Sequence, residues 1–173
     1  MIPVIIIPAY NPPVYFIKLL EDVRNITNIP IIVIDDGSQP KIKIKPTIDR
    51  LTLLRNKNNA GKGYSLLKAF NLSLKNGYTH AITMDADSQH DPSLISKFLS
   101  VNENIIIVCG NRDFNSGMPF IRKLSNVITS KIISLLCSKI ILDSQCGYRR
   151  YRLESICKKT YLENGFQFET EVL

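Results

Sequence analysis

Short apolar runs alternate with amphipathic segments along the first half of the chain. Val4–Pro8 and Ile31–Asp35 are continuous aliphatic runs, a pattern typical of strands that are buried on both faces. The segment between them places apolar residues at helical spacing behind a Pro-Pro pair, which predicts a helix. The same alternation predicts later strands and helices. The strands are Arg50–Arg55, Thr79–Asp85 and Asn104–Gly110, and the helices are Gly61–Asn76 and Pro92–Val101.

The second half of the chain is less regular. Arg122–Leu142 is predicted to form one long amphipathic helix or two short ones. Two interpretations stay open: the apolar face packs on the core, or it lies on a membrane whose anionic lipids meet the lysines. Asp143–Ser155 is predicted to contain a turn, a short strand and a helix start. The apolar face of the long helix comprises Leu124, Val127, Ile128, Ile132, Leu135 and Leu136, and its lysines are Lys123, Lys131 and Lys139.

This alternation predicts an α/β fold, in which one domain over residues 1–173 has a mainly parallel sheet with helices on both faces. In such sheets, ligands bind beyond the carboxyl ends of the strands. Three predicted strands end in polar clusters: PAYN at Pro8–Asn11, DDGS at Asp35–Ser38 and DADSQH at Asp85–His90. The sequence therefore predicts a ligand site where these three clusters meet.

The charge balance narrows the class of partner. A net charge of +7, from 22 Lys and Arg against 15 Asp and Glu, favours an anionic partner such as a phosphorylated molecule or an acidic membrane. The basic residues are scattered without interleaved aromatic pairs, which argues against nucleic acid. Four cysteines without a CxxC pair are expected to be reduced, which suits a cytoplasmic chain. With neither a signal peptide nor an apolar run of about 18 residues, we expect any association with the inner membrane face to be peripheral.

The most informative stretch is the acidic cluster after the fourth predicted strand. Asp85 and Asp87 are spaced so that both side chains point to one side of an extended segment. Such carboxylates repel each other unless a cation lies near them or one is protonated, and Mg²⁺ or Mn²⁺ suits oxygen ligands. An EF-hand is excluded, because its loop needs Gly and Glu where this sequence has His90 and Ser96. A shared-proton dyad and plain helix capping, the latter suited to Asp91, stay open.

Two further clusters are weaker signals. DDGS is an ordinary turn sequence, but at a strand end Asp35 or Asp36 can accept hydrogen bonds from a nucleotide base or ribose. NNAGKGYS at Asn58–Ser65 lacks the spacing of a phosphate loop or a dinucleotide-binding loop. As a glycine-rich helix start it still offers free N–H groups to an anion, and Lys62 adds a point charge. A plain turn and a plain helix start are the alternatives.

Five motifs together resemble those of family-2 inverting glycosyltransferases, in the order that the family shows. They are PAYN, DDGS, NNAGKGYSLLKAF, DADSQHDP and DSQCGYRRY. The resemblance covers essentially the whole chain and is nearest to the branch of dolichyl-phosphate mannose and glucose synthases and their bacterial polyprenyl-phosphate relatives. It implies a GT-A type fold, a UDP- or GDP-linked sugar donor and a polyprenyl or dolichyl phosphate acceptor.

The resemblance also assigns roles to matching positions. It implies that Asp85 and Asp87, with Gln89, bind a divalent metal, Mg²⁺ or Mn²⁺, on the diphosphate of the donor. An acceptor hydroxyl, unlike an ionised lipid phosphate, would need a general base, for which Asp143 is the first candidate.

The predicted substrate contacts fall into two groups. Pro8, Tyr10 and the DDGS acids match the pocket for base and ribose. Arg112 and Arg122, with Ser125, match residues that meet the acceptor phosphate in the lipid-phosphate branch. The full predicted set is Pro8, Ala9, Tyr10, Asn11, Asp35, Asp36, Lys62, Gly63, Ala86, Arg112, Arg122 and Ser125.

Two departures from the family pattern matter. Pro12 stands where relatives commonly have an acidic residue, which puts one nucleotide contact in doubt. The sequence ends at Leu173, where relatives usually continue, so both a short catalytic domain and a truncated piece are kept open. The alternatives to a lipid-phosphate transferase are a transferase to a saccharide hydroxyl and a non-catalytic nucleotide-sugar binding module. His90 is expected either at the surface or beside the diphosphate.

Overall fold

The structure, a computed structural model, describes residues 1–44, 47–111 and 120–173, without the side chains of residues 120–125, 136 and 137. The strands are β1 (Pro3–Ala9), β2 (Ile31–Asp35), β3 (Leu51–Arg55), β4 (His80–Thr83), β5 (Ile107–Cys109) and β6 (Arg149–Arg152). The helices are α1 (Phe16–Ile26), α2 (Lys62–Lys75), α3 (Ile95–Ser100), α4 (Phe120–Cys137), α5 (Leu153–Cys157) and α6 (Phe168–Glu171). A short 3-10 turn, Pro92–Leu94, directly precedes α3.

The strands form one sheet in the order β3-β2-β1-β4-β6-β5. β1 pairs in parallel with β2 and β4, and β2 pairs in parallel with β3. β6 is antiparallel to both of its neighbours, β4 and β5, so β5 runs in the same direction as β4. The predicted α/β fold with a mainly parallel sheet is therefore confirmed, and the carboxyl ends of β1, β2 and β4 lie at one edge.

The sheet is covered on both faces, which explains its continuous apolar strands. Ile5 and Ile7 of β1 belong to a buried cluster with residues of α1 and α3. Val4 and Ile6 point to the other face and pack with residues of α2, α5 and α6. All four side chains are fully buried, so this strand carries apolar residues at successive positions instead of alternating with polar ones.

The fourth strand is shorter than the sequence predicts. Its pairing with β1 ends where Ile6 meets Thr83, two residues before the predicted end at Asp85. The chain then turns, and Ser88 adopts a left-handed φ of 57°. Asp85 and Asp87 therefore lie in the loop after the strand, and the alternation of an extended segment does not fix the direction of their side chains.

The long helix of the second half also differs from prediction. α4 is a single helix that ends at Cys137, before Ser138, whose φ of 51° is left-handed. Three of the positions predicted to pack on the core are exposed instead: Ile128 by 50%, Ile132 by 55% and Leu135 by 81%. The core-packing interpretation is wrong for these positions.

A polar stripe forms the buried side of α4. Asn126 and Ser130 are buried, and the Asn126 side-chain amide donates to Asp143 Oδ1 at 2.8 Å. The Ser130 hydroxyl donates to Ser144 Oγ at 3.0 Å. The helix turns these positions inward because the buried turn after it needs hydrogen-bond partners. None of the described helices is long and apolar enough to cross a membrane.

A buried arginine connects β6 to the end of α3. Arg150 is fully buried, and its guanidinium donates to the carbonyl oxygens of Phe98 at 2.9 Å, Val101 at 2.6 Å and Asn102 at 2.7 Å. These carbonyls belong to the last turn of α3 and the residues after it, where backbone acceptors lack partners within the helix. Arg150 therefore caps α3 from a neighbouring strand.

We expect Arg150→Met to lower the free energy of unfolding by about 3 kcal/mol, because three carbonyl groups lose their donor. Urea denaturation followed by circular dichroism would measure the change. Arg152→Met is the matched control, since Arg152 lies on the same strand with its side chain 37% exposed. Equal losses in the two variants would contradict the capping role.

Candidate functional site

The loops after β1 and β2 are held together by hydrogen bonds. The backbone N–H of Asn11 donates to the Ser38 hydroxyl at 2.9 Å, and the Gln39 N–H donates to Asn11 Oδ1 at 2.8 Å. The Asp36 N–H donates to the Ala9 carbonyl at 2.8 Å. The predicted meeting of the PAYN and DDGS clusters is therefore present, and Asn11 acts there as a connector between the two loops.

Asp35 organises the DDGS loop from inside. Its buried carboxylate accepts the Ser38 N–H at 2.8 Å and the Ile42 N–H at 3.3 Å, and it forms an ion pair with Arg55. Burial alone would raise the pKa of Asp35, but the hydrogen bonds from Ser38, Ile42 and Arg55 outweigh it and hold the pKa below its ordinary value. Asp35 is therefore ionised, and its carboxylate stabilises the DDGS loop and the end of β3.

Asp36 connects the end of β2 to the loop before α2. Its carboxylate accepts hydrogen bonds from the Asn56 side-chain amide at 2.7 Å, the Ala60 N–H at 3.0 Å and the Gly61 N–H at 2.9 Å. The Asp36 side chain is buried. Both acids predicted to contact a base or ribose thus shape the loops at the ends of β1 and β2 through their own hydrogen bonds.

Asp85 lies where α2, α6 and the loop after β4 meet. We call this loop, residues 84–91, the acidic loop. Its carboxylate pairs with Lys62 Nζ at 2.6 Å and with His90 Nε2 at 3.1 Å, and its side chain is 28% exposed. Burial opposes ionisation, but the His90 hydrogen bond and the Lys62 charge outweigh it and hold the pKa of Asp85 well below its usual range. Asp85 is therefore a carboxylate at any pH near neutrality.

A glycine makes room for this carboxylate. A Cβ added at Gly147 would lie 2.6 Å from Asp85 Oδ1, a distance that a real side chain does not tolerate. Thr83 fixes the same segment, because its hydroxyl donates to the Gly147 carbonyl at 2.8 Å. The DSQCGYRRY motif thus reaches the site through the backbone beside Asp85.

Asp87 and Gln89 are exposed beside Asp85. Among the described residues, the Asp87 carboxylate accepts a hydrogen bond from the Gln89 N–H, at 3.1 Å. Ala86 between the two acids is half-buried, and the Tyr10 ring is 53% exposed. Asp87 thus faces solvent. Asp91, which is also exposed, caps the next turn by accepting the Ser93 N–H at 2.8 Å, as predicted.

The start of α2 is not an open anion site. The N–H groups of Gly61 and Ala60 donate to Asp36, and those of Gly63 and Tyr64 donate to the carbonyls of residues 165 and 164, at 3.2 and 3.0 Å. The prediction of free N–H groups is therefore wrong for these positions. A Cβ at Gly63 would lie 2.6 Å from Phe168 Cβ, so the absence of a side chain there lets α2 pack on α6.

The predicted acceptor side is described only in part. Asp143 is buried and accepts hydrogen bonds from the Asn126 amide at 2.8 Å and the Gln145 N–H at 3.1 Å. Arg112 lies outside the described residues, and so do the side chains of Arg122 and Ser125. Their assignment to an acceptor phosphate stays a prediction, as does the role of Asp143 as a base.

The chemistry of the donor set fits a hard divalent ion. Two carboxylates, Asp85 and Asp87, and the amide of Gln89 offer oxygen atoms, which is what Mg²⁺ and Mn²⁺ prefer when phosphate oxygens complete the shell. Among the described residues, no group of three or more His, Cys, Asp or Glu side chains is arranged to hold a metal by itself. The three side-chain oxygens would leave the rest of the coordination shell to water or to a bound diphosphate.

The sequence analysis missed Glu169 and left the position of His90 open. Glu169 is buried, and its carboxylate accepts from Lys62 Nζ at 2.8 Å, although the two residues lie 107 positions apart. Burial raises the pKa of Glu169, against the charge of Lys62. Of the two positions expected for His90, the one at the surface is wrong, because the side chain is buried. Its ring packs on Tyr148 with centroids 5.1 Å apart. In the sequence, the single indication for Glu169 was its position directly after Phe168.

With this geometry in place, comparison with known proteins identifies the family. Residues 4–159 match the family model described as Glycosyl transferase family 2. The chain belongs to glycosyl transferase family 2. The family resemblance of the five motifs is thereby confirmed.

Curated relatives agree with the predicted branch of the family. The chain is 34% identical to an uncharacterized protein of Methanocaldococcus jannaschii, over 95% of this chain and 77% of the relative. It is 28% identical to UDP-N-acetylglucosamine–dolichyl-phosphate N-acetylglucosaminyltransferase of Methanococcus voltae, over 85% and 68%. It is 27% identical to polyprenol monophosphomannose synthase of Mycolicibacterium smegmatis, over 97% and 69%.

A solved structure supports the fold. Glucosyl-3-phosphoglycerate synthase from Mycobacterium tuberculosis, in complex with phosphoglyceric acid, superposes with a TM-score of 0.68 at 16% identity. The likeness covers 96% of this chain and 62% of the solved chain, so this family-2 chain spans less than two thirds of that protein. It confirms the predicted GT-A type fold.

We expect Asp35→Asn to destabilise the protein by about 3 kcal/mol at pH 7, because it leaves Arg55 without its buried partner. The pKa of Asp35 is lowered in the folded protein, so this stabilisation is present above the unfolded pKa of about 3.9 and is lost as the pH falls through the folded pKa. The gap between wild type and variant, measured by urea denaturation, should therefore shrink below about pH 4. Asp49→Asn, at an exposed position, is the control. A gap that is constant from pH 7 to pH 3 would contradict the ion-pair role.

Proposed function

We propose that this protein transfers a hexose from a UDP- or GDP-linked sugar to a polyprenyl or dolichyl phosphate, with inversion at the anomeric carbon. The observation that carries the proposal is Asp85, kept ionised at the end of β4 by Lys62 and His90, with exposed Asp87 beside it. The family supports glycosyl transfer, and two relatives whose names contain dolichyl phosphate and polyprenol support the class of acceptor.

The donor nucleotide would bind between the loops after β1 and β2. Asp35 and Asp36 hold these loops in shape, while the half-buried Pro8 and the exposed Tyr10 ring provide a surface for the base. An aromatic ring offers a flat apolar face, on which a base can stack. The two buried acids then act as supports of the pocket, and contacts to the ribose come from the loop backbone.

Asp85, Asp87 and Gln89 would hold Mg²⁺ or Mn²⁺ together with the diphosphate of the donor. The bound ion would supply charge neutralisation for the leaving nucleoside diphosphate. Asp87 is suited to this role because its carboxylate faces solvent. Asp85 is suited to it because it stays ionised, although Lys62 and His90 occupy its two oxygen atoms.

The acceptor phosphate would attack from the opposite face of the sugar. One of its oxygens forms a bond to the anomeric carbon as the bond from that carbon to the diphosphate oxygen breaks, which inverts the configuration. A lipid phosphate is already ionised, so the step needs no general base. The buried position of Asp143, hydrogen-bonded to Asn126, is consistent with a structural role in this version.

An exposed apolar surface would bring the enzyme to its lipid substrate. We call it the α4 surface: Ile128, Ile132, Leu135, Ile140 and Leu142, which are 50 to 90% exposed. Exposed Lys131 and Lys139 lie within this stretch and would meet anionic lipid headgroups. Apolar side chains flanked by lysines are typical of segments that lie in a membrane interface. Peripheral binding to the cytoplasmic membrane face would thus place the acceptor next to the site.

We expect Asp85→Ala and Asp87→Ala each to lower transfer by at least about 100-fold, because each removes charge that serves the metal and its diphosphate. Transfer from UDP- and GDP-sugars to polyprenyl phosphate, with Mn²⁺ or with EDTA, would measure this. Asp91→Ala is the matched control, since it removes the third acid of the same loop. Turnover like wild type in either variant, or full activity in EDTA, would refute the proposal, provided that thermal melts show folded protein.

We expect the protein to co-sediment with liposomes that contain anionic lipid, and Ile132→Glu with Leu135→Glu to weaken this binding about tenfold, because two exposed apolar side chains are lost. Ile26→Glu is the control: Ile26 is also 50% exposed, but it ends α1 at the opposite edge of the sheet. Absence of binding at low salt, or equal loss in both variants, would contradict the membrane role of the α4 surface.

A further inference from the structure

One lysine is held between two carboxylates at the centre of the site. Lys62 Nζ lies 2.6 Å from Asp85 Oδ1 and 2.8 Å from Glu169 Oε2. The Lys62 side chain is 11% exposed and that of Glu169 is 5% exposed, so both groups have little solvation by water and depend on each other and on Asp85. The three groups form one buried unit that spans α2, the acidic loop and α6.

The two carboxylates are not equivalent partners of this lysine. Asp85 has both oxygens engaged, by Lys62 and by His90. Glu169 has a second oxygen, Oε1, that is buried and finds no hydrogen-bond partner among the described residues. The carboxylate of Glu169, which already binds the ammonium group through Oε2, therefore has one oxygen without a donor, whereas each oxygen of Asp85 has a donor.

The anchoring of Glu169 keeps this acceptor in place. Arg149, which is fully buried, donates to the Glu169 carbonyl, and Phe168 is fully buried against α2 at Gly63. The backbone of Glu169 is thus fixed relative to the helix that carries Lys62. A lysine ammonium has three donors on a flexible stem, so it can change partners without any movement of the backbone.

We propose that Lys62 is a positioning residue that neutralises Asp85 until a divalent cation arrives, and that Glu169 then accepts the displaced ammonium group. The proposal rests on the proposed function, because it takes Asp85 as a metal ligand. Lys62, Asp85, Glu169 and Asp87 together carry one positive and three negative charges, so a net charge of −2 faces the divalent cation, and the displaced ammonium group needs an anion other than Asp85. Glu169 is what retains Lys62.

The proposal predicts opposite effects of two substitutions on the binding of Mn²⁺ alone. Glu169→Gln should weaken binding about tenfold, because the displaced lysine loses its second anion and competes for Asp85. Lys62→Met should strengthen binding about tenfold, because Asp85 loses the cation that Mn²⁺ must displace. Electron paramagnetic resonance of free Mn²⁺, titrated with the full chain, measures both without nucleotide or turnover.

Two controls remove the same charges at exposed positions. Glu163→Gln alters an exposed acid before α6, and Lys75→Met alters the exposed lysine at the far end of α2. Both should bind Mn²⁺ like wild type. If Lys62→Met does not fold in a thermal melt, Lys62→Gln serves the same comparison.

The outcomes separate this inference from the proposed function. Opposite shifts in the two variants, with no further loss from Glu169→Gln in the Lys62→Met background, support the exchange of partners. An equal loss from Glu169→Gln in both backgrounds is the direct effect of a removed charge and overturns the inference. Weaker binding in both variants shows that Lys62 only supports the loop and overturns the inference, as does wild-type affinity in both, while the transferase proposal stands in either case. If wild-type protein binds no Mn²⁺ and its transfer activity survives EDTA, the metal site itself is refuted and the inference with it.

Discussion

The site depends on the neutralisation of carboxylates that the sheet brings to one edge. β2 and β4 both lie next to β1, and this places Asp36 and Asp85 in loops at the same edge of the sheet. Buried carboxylates are stable only when donors surround them. Each acid binds a later segment: Asp36 accepts from the N–H groups before α2, and Asp85 accepts from Lys62 of α2 itself. The loops at this edge are therefore folded around their acids.

Local sequence pattern predicted most of the sheet and misjudged the helix α4. Strands such as β2 are buried on both faces, so an apolar run identifies them without knowledge of the fold. Periodicity in α4 groups similar residues, but it does not state which side meets the core. Ser130 and Asn126 turn inward because Ser144 and Asp143 need partners, a requirement that arises only after the turn has formed.

For the candidate site, the sequence pattern predicted where the acids lie but not which residues they contact. Strand ends predicted that the DDGS and DADSQH loops would meet, since parallel strands share an edge. The contact between Lys62 and Glu169 joins residues 107 positions apart and depends on Gly63 admitting Phe168 at close range. No local pattern encodes such packing, and for the same reason the N–H groups of α2 could not be known to be occupied.

The arrangement also limits how a diphosphate could enter. Asp85, Asp87 and Glu169 alone would repel it, and Lys62 by itself offsets one of those three charges. In the proposed function a divalent cation would supply further positive charge, and the exposed position of Asp87 would give it access from solvent. Because His90 and Lys62 keep Asp85 ionised, no proton would have to leave it before such a cation binds. Donor binding would then follow, or accompany, the binding of the cation.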